Sequence, residues 1–326
     1  MSPAPAPVRW GVIGATAHIA QRAVLPALAA SPKCELVALA SHSLPQGGYE
    51  TFGARRVLSS YQAVLADPEV EAVYVPLPNS LHAQWSVRAA EAAKHVLCEK
   101  PLATSALEAG AMASACDAAG VVLMEAYMTP FHPRAALFDD ILGSGRLGDL
   151  RFGRTAFTFS LEDESNHRWS PAFGGGALLD VGIYCLAPLL LAARRRAVEL
   201  SASAVMTAGG VDSSFGGWLD FGRGFTGAFV CSFEAPQRQL IEMVGTEAAL
   251  SMERSFTPGG GDSRITLNHR GGRVEELEVA GADPYRGMVD HFATVLRGGA
   301  GLRRTPDDSI ELLTLIDRLR VVAAGS

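Results

Sequence analysis

Between Val8 and Met124, short apolar runs alternate with stretches of helical periodicity: Val8 to Ile13, Ile19 to Ala30, Glu35 to Ala40, Ala72 to Val75, Ala83 to Ala93, His95 to Cys98, Ala106 to Ala119 and Val121 to Met124. Runs that are apolar on both faces, separated by helices of about a dozen residues, imply a parallel sheet covered on both sides. The expectation is an α/β chain whose residues 1–124 form a doubly wound first domain. After Pro133 a helix runs to Gly143-Ser144-Gly145, where paired glycines stop it, and Leu150 to Ser160 then alternates like a strand. Similar runs at Glu199 to Thr207, Ser213 to Phe221, Phe225 to Phe233, Gln239 to Val244, Ala249 to Glu253 and Arg264 to Asn268 follow. They predict an α+β second domain over residues 125–326 with a large, mostly antiparallel, open-faced sheet. Helices near Tyr285 to Leu296 and Asp308 to Ala324 would cover apolar surface.

The chain has 326 residues, 48% of them hydrophobic, more than one ordinary domain needs. Its net charge of -6, with the basic residues dispersed, offers no polybasic surface for nucleic acid or for a membrane. A small-molecule partner is expected instead. Cys34, Cys98, Cys116, Cys185 and Cys231 are odd in number and widely spaced, several within apolar runs, which suits reduced thiols in a cytoplasmic protein. The first residues lack the basic and apolar regions of a signal peptide, and the apolar run around Leu186 to Ala193 is too short to span a bilayer. Eight scattered histidines form no metal-binding pattern, so no metal site is expected.

Trp10-Gly11-Val12-Ile13-Gly14-Ala15-Thr16-Ala17-His18-Ile19-Ala20 is the first strand-to-helix turn. Small residues there let a pyrophosphate approach the backbone at a helix N-terminus, so Gly14, Ala15, Thr16, Ala17, His18 and Ile19 are candidate dinucleotide-binding residues. The glycine fingerprint is degenerate, with alanines in its register, and a plain tight turn is the competing reading. After the second strand, Ser41-His42-Ser43 lacks the carboxylate that binds the ribose hydroxyl of NAD. Ser41 and His42 therefore favour NADP, with NAD as the alternative.

Glu99-Lys100-Pro101-Leu102 and the run from Gly174-Gly175-Gly176 through Asp180 to Tyr184 resemble the glucose-fructose oxidoreductase/inositol dehydrogenase (Gfo/Idh/MocA) family. So do the run from Val75-Pro76-Leu77 through Asn79 to His82, the stretch Glu125 to Pro133, and Gly145-Arg146-Leu147-Gly148. The resemblance covers essentially the whole chain. Tyrosine at position 184, where many members have histidine, resembles the subgroup of glucose-fructose oxidoreductase, dihydrodiol dehydrogenase, xylose dehydrogenase and the sugar 3-ketoreductases.

The resemblance implies a sugar dehydrogenase or reductase with Lys100, Asp180 and Tyr184 as catalytic residues, Lys100 lying beside nicotinamide and substrate. A hydride transfer needs a matching proton transfer, and a phenol with an ordinary pKa of about 10 needs a nearby cation to share its proton near neutrality. Tyr184 is thus expected to be the general acid or base, with Lys100 lowering its pKa. As a lone residue Tyr184 would read as a packed helix side chain. Pro76, Leu77, Asn79, His82 and Glu99 join the cofactor-binding candidates. Glu99 has a second reading as an ion-pair partner of Lys100, and His82 as a helix cap. Pro101 is expected to carry an unusual peptide bond. Arg168 and Trp169, with Asp180 and Tyr184, are substrate-side candidates, although one arginine more often forms a surface salt bridge. His132 is expected to be structural, and Arg194-Arg195-Arg196 to close a helix. The segment from Leu44 to Tyr49 departs from the family in having a proline and two glycines where relatives place a helix.

The expected activity is NADP-dependent hydride exchange with a carbohydrate-like carbinol or carbonyl. A reductase of nucleotide-linked ketosugars, an enzyme recycling tightly bound NADP, and a non-catalytic dinucleotide sensor are the alternatives. The resemblance also implies a homodimer or homotetramer assembled through the second sheet.

Overall fold

The computed structural model describes residues 5–41 and 52–325. The chain divides into two compact units, Met1–Phe131 with Asp283–Ile310 and His132–Ala282 with Glu311–Ser326. Packing thus places Asp283–Ile310 with the first unit, where the sequence reading kept everything after residue 124 together.

In the first unit β1 (Val8–Ile13), β2 (Cys34–Ala40), β3 (Arg56–Leu58), β4 (Ala72–Val75), β5 (His95–Glu99) and β6 (Leu123–Ala126) form one sheet in the order β3-β2-β1-β4-β5-β6. Every pairing in it is parallel. The order reverses between β1 and β4, which opens a crevice at the carboxyl ends of those strands. Residues 18–30 are helical, with a π-turn at Ala20–Val24 leading into α1 (Leu25–Ala30). α2 (Tyr61–Ala66) and β3 are short elements that periodicity does not reveal. Ser60 caps α2, its hydroxyl accepting from the Ala63 N–H at 3.1 Å. α3 (His82–Glu91) and α4 (Ala106–Ala118) follow the expected helical runs.

α7 (Pro284–Leu296) belongs to this unit because its apolar stripe finds the sheet. Pro284–Leu296 buries Met288, Val289 and Phe292, and the Phe292 ring lies 5.4 Å from that of the fully buried Trp10. Arg297 pairs with Glu71 at 3.1 Å, and Ser31 hydrogen-bonds Asp290. Periodicity identifies such a helix but not the sheet it covers.

In the second unit α5 (Pro133–Gly143) precedes eight strands: β7 (Leu150–Ser160), β8 (Glu199–Met206), β9 (Asp212–Asp220), β10 (Thr226–Ser232), β11 (Glu234–Gly245), β12 (Ala248–Glu253), β13 (Ser263–His269) and β14 (Val274–Val279). Their order is β14-β13-β12-β11-β7-β10-β9-β8, antiparallel throughout except for β7 with β10. The alternation of each strand sends Phe157, Phe215, Leu219, Phe229, Cys231 and Met243 to one buried face. Against that face lies a helix whose first turn is π-wound, Leu178–Gly182, and which continues as α6 (Ile183–Ala193). Glycine at 153 makes the close approach workable, since a Cβ there would sit 2.7 Å from the Leu189 side chain. The stretch Pro171–Ala193, longer than the apolar run around Leu186 to Ala193, is by length and composition enough to cross a membrane, but most of it is buried inside the protein. α8 (Pro306–Ala324) closes the chain.

Replacing Phe292 by Ala is expected to cost about 3–5 kcal/mol through the cavity left against Trp10. Urea denaturation checks this, and an unchanged midpoint would show that α7 contributes no packing to the first unit.

Candidate active site

At the carboxyl edge of β1, the Gly14 and Ala15 N–H groups both donate to Ala40 O, at 2.8 and 3.1 Å. Gly14 has φ +96°, and a Cβ on it would lie 2.7 Å from the Leu77 side chain and 3.3 Å from Pro76 O. Only glycine lets this turn press against the segment leaving β4. Ser41, at the end of β2, is buried, and its hydroxyl bonds Thr16 Oγ1 at 2.5 Å. The helix after the turn begins at residue 18, so its N-terminus lies at the strand-order reversal where an anionic pyrophosphate is favoured. These residues fit a dinucleotide. His42 and the segment from Leu44 to Tyr49 lie outside the described residues.

β5 delivers Glu99 and Lys100 to the same edge, followed by a cis Lys100-Pro101 bond, the unusual peptide expected there. The Glu99 side chain is buried: Oε1 accepts from the Tyr74 hydroxyl at 2.6 Å, and Oε2 from the Lys100 N–H at 3.1 Å. Burial pushes this carboxyl up to about 7, against the pull of Tyr74 and Lys100, which favour its charged form. Burial and the neighbouring Glu99 also hold the Tyr74 phenol well above its ordinary value. His82 does not cap α3, which has no side-chain cap. Its ring is fully buried, with Nε2 2.7 Å from Leu77 O and Nδ1 2.8 Å from Pro101 O.

In the second unit the glycine run wraps the turn His167–Trp169. The Gly175 and Gly176 N–H groups donate to Ser170 O and Arg168 O, both at 3.0 Å. A Cβ on Gly175 would collide with Arg168 O, and one on Gly176, whose φ is +110°, with the Asp212 carboxylate. Asp212 accepts from the Leu178 N–H at 2.6 Å, satisfying a donor of the helix's first turn. This tight path sets Arg168 Nε 2.7 Å from Asp180 Oδ2, with Asp180 only 8% exposed. Asn166 Oδ1 supports the arginine, accepting from its main-chain N–H at 3.1 Å. Tyr184 is buried between Phe157 and Phe256, with ring centroids 5.4 and 5.7 Å away. Trp169 meets Phe233 edge-on at 5.3 Å, and its indole N–H is buried without an acceptor among the described residues.

The structure thus gathers Gly14 to Ile19, Ser41, Pro76, Leu77, Asn79, Glu99 and Lys100 at one sheet edge in the first unit. In the second it gathers Arg168, Trp169, Asp180 and Tyr184 around one helix start. His132 is structural, capping α5 by accepting the Arg134 N–H at 3.1 Å, and Arg194 ends α6 in a left-handed conformation. Sequence reasoning gave no role to Tyr74, Glu125 or Asp212, whose buried side chains hold Glu99, the Leu102 N–H and the Leu178 N–H respectively. The one signal was an acidic or phenolic residue inside an apolar strand, or at its start.

Glu99 titrates near 7 in the folded chain, above its unfolded value, so its protonated form stabilises the fold below the unfolded pKa. That contribution is lost as pH rises through about 7. It amounts to about 3 kcal/mol. Glu99→Gln is therefore expected to flatten the fall in stability between pH 5 and pH 8, and parallel urea titrations of both proteins would disprove this if their pH slopes coincide.

Comparison with known proteins agrees with this architecture. Residues 8–127 match the model of the oxidoreductase family with an NAD-binding Rossmann fold, GFO_IDH_MocA, and residues 137–251 match the GFO/IDH/MocA C-terminal domain. An oxidoreductase of Rhizobium meliloti, ORF334, is 37% identical over 304 residues, 90% of each chain. D-xylose 1-dehydrogenase (NADP(+)) 2 of Haloferax volcanii is 33% identical over 95% of each. KijD10, a 3-ketoreductase from Actinomadura kijaniata solved in complex with NADP and TDP-benzene, superposes with a TM-score of 0.90 at 32% identity, covering 97% of each chain. With both of its units matched in order, the chain belongs to the GFO/IDH/MocA family of oxidoreductases.

Proposed function

We propose that this protein is an NADP-dependent oxidoreductase acting on a sugar or sugar-like carbinol or carbonyl. What carries the reading is Lys100 at the carboxyl edge of a nucleotide-binding sheet, in a chain that also holds Asp180 and Tyr184 in one buried helix. Bound nicotinamide supplies or accepts the hydride; the protein's own groups manage the proton. Tyr184 gives or takes it at its phenol oxygen, and Lys100 favours the phenolate and holds the substrate oxygen. The Arg168 pairing holds the Asp180 carboxylate in place through Arg168 Nε at 2.7 Å. Trp169, packed edge-on against Phe233, completes the substrate-side group with Arg168. Ser41 and the absence of a carboxylate in Ser41-His42-Ser43 favour NADP, as do the NADP-linked names of the relatives. The name of KijD10 as a 3-ketoreductase, and its TDP-benzene ligand, keep a nucleotide-linked ketosugar 3-reductase as the second reading.

Tyr184→Phe is expected to lower kcat by about 100-fold or more while NADPH affinity stays within threefold. A panel of free sugars and nucleotide-sugars, run with NADP and NAD and followed by nicotinamide absorbance, tests it. Wild-type turnover in the variant removes Tyr184 from the role, and a preference for NAD overturns the coenzyme reading.

A homodimer or homotetramer through the open face of the second sheet is part of the proposal. Val205, Trp218 and Val230 are 59%, 40% and 44% exposed, and strand register puts all three on the face opposite α6. Exposed apolar side chains at neighbouring positions on a sheet face suit burial by a second copy. A cytoplasmic location accords with five free cysteine thiols. Val230→Glu should shift the mass from light scattering toward the monomer; an unchanged mass argues against this face.

A further inference from the structure

The peptide group joining Pro101 to Leu102 is held at both of its polar atoms by buried ionisable side chains. Its carbonyl oxygen lies 2.8 Å from His82 Nδ1, and its N–H donates to Glu125 Oε1 at 2.8 Å. His82 is completely buried and Glu125 is 2% exposed. Each is anchored from behind. His82 Nε2 sits 2.7 Å from Leu77 O, in the segment leaving β4. Glu125 Oε2 accepts from Arg304 Nε at 2.6 Å and from the Ser309 hydroxyl at 2.7 Å.

We propose that His82 and Glu125 are positioning residues that clamp the Pro101–Leu102 peptide and thereby fix Lys100. The inference rests on the reading of Lys100 as an active-site group and goes beyond it by naming what holds that group in place. Carbonyl oxygens only accept, so His82 satisfies Leu77 and Pro101 together only when both ring nitrogens carry protons. Burial lowers its pKa, while the two carbonyls and Glu125 oppose that loss and Lys100 adds to it. A ring nitrogen at the oxygen and the Glu125 carboxylate at the N–H lie along the peptide dipole, and the carboxylate makes the second contact charge-assisted. The clamp also ties three strands' exits together, since Leu77 follows β4, Pro101 follows β5 and Glu125 lies in β6. Lys100 is one residue from the clamped peptide, and its own N–H is held by Glu99.

Hydrogen exchange on the full chain, resolved to single amides by mass spectrometry, tests the clamp without any substrate. His82→Gln does not touch the Leu102 N–H, yet it is expected to speed exchange of the Lys100 and Leu102 amides at least tenfold while Val96 to Cys98 keep wild-type protection. Glu125→Asp, which retains a charge for Arg304 but withdraws it from Leu102, should do the same. Turnover assayed with D-xylose and NADP should show kcat reduced at least tenfold in both variants, with NADPH affinity and sugar KM within threefold. Exchange within threefold of wild type in His82→Gln overturns the proposal, and so does a loosened loop with unchanged kcat. Failure of the catalytic reading shows separately, as wild-type turnover in Tyr184→Phe, and leaves exchange to decide the clamp.

Discussion

A parallel sheet buried on both faces sends every strand exit to one edge, and the first unit is organised around that constraint. Because the order reverses between β1 and β4, the connections on either side of those strands run to opposite faces of the sheet, and open α/β sheets bind ligands at such a place. Gly14, Pro76 and Leu77 meet there, and Glu99 and Lys100 arrive from the next strand. Each is placed by a strand end, so their spacing follows sheet geometry rather than loop conformation.

Holding such an edge together requires polar groups in an apolar interior. Removing a carboxylate or a guanidinium from water costs several kcal/mol per ion, and the attraction between them offsets this only with good geometry and further hydrogen bonds. Glu125 meets that demand with three donors, one each from Arg304, Ser309 and the Leu102 main chain. Glu99 has two donors and no facing guanidinium among the described residues, and its carboxyl rises accordingly. Neighbouring strands thus carry two buried acids of opposite character, one locked in an ion pair and one poised near neutrality.

The second unit solves a different problem, presenting an acid and a phenol from a helix that is also the core of a sheet. The π-turn at Leu178–Gly182 widens the first turn where Asp180 lies, and such turns recur at functional sites. The glycines before it bring a main-chain carbonyl and a carboxylate closer than any side chain would allow. Arg168 reaches Asp180 because of that path. Two aromatic rings fix Tyr184, leaving its phenol as the polar end of an apolar helix face.

Much of this was legible in the residues. The alternation from Val8 to Met124 determined a parallel doubly wound sheet, and Glu99-Lys100-Pro101 with the Gly174 to Tyr184 run identified the family, because both signals are local in sequence. β14 lacks a readable apolar alternation because three of its six residues are glutamates, two of them at exposed positions, as an edge strand tolerates. Only the tertiary structure decided that α7 covers Trp10, that His82 braces two carbonyls instead of capping α3, and that Glu125 holds the peptide beside Lys100. Periodicity reports which face of an element is apolar; which partner meets that face, and which buried acid finds a donor, depends on residues that only folding brings together, as it brings Phe292 to Trp10 and Arg304 to Glu125.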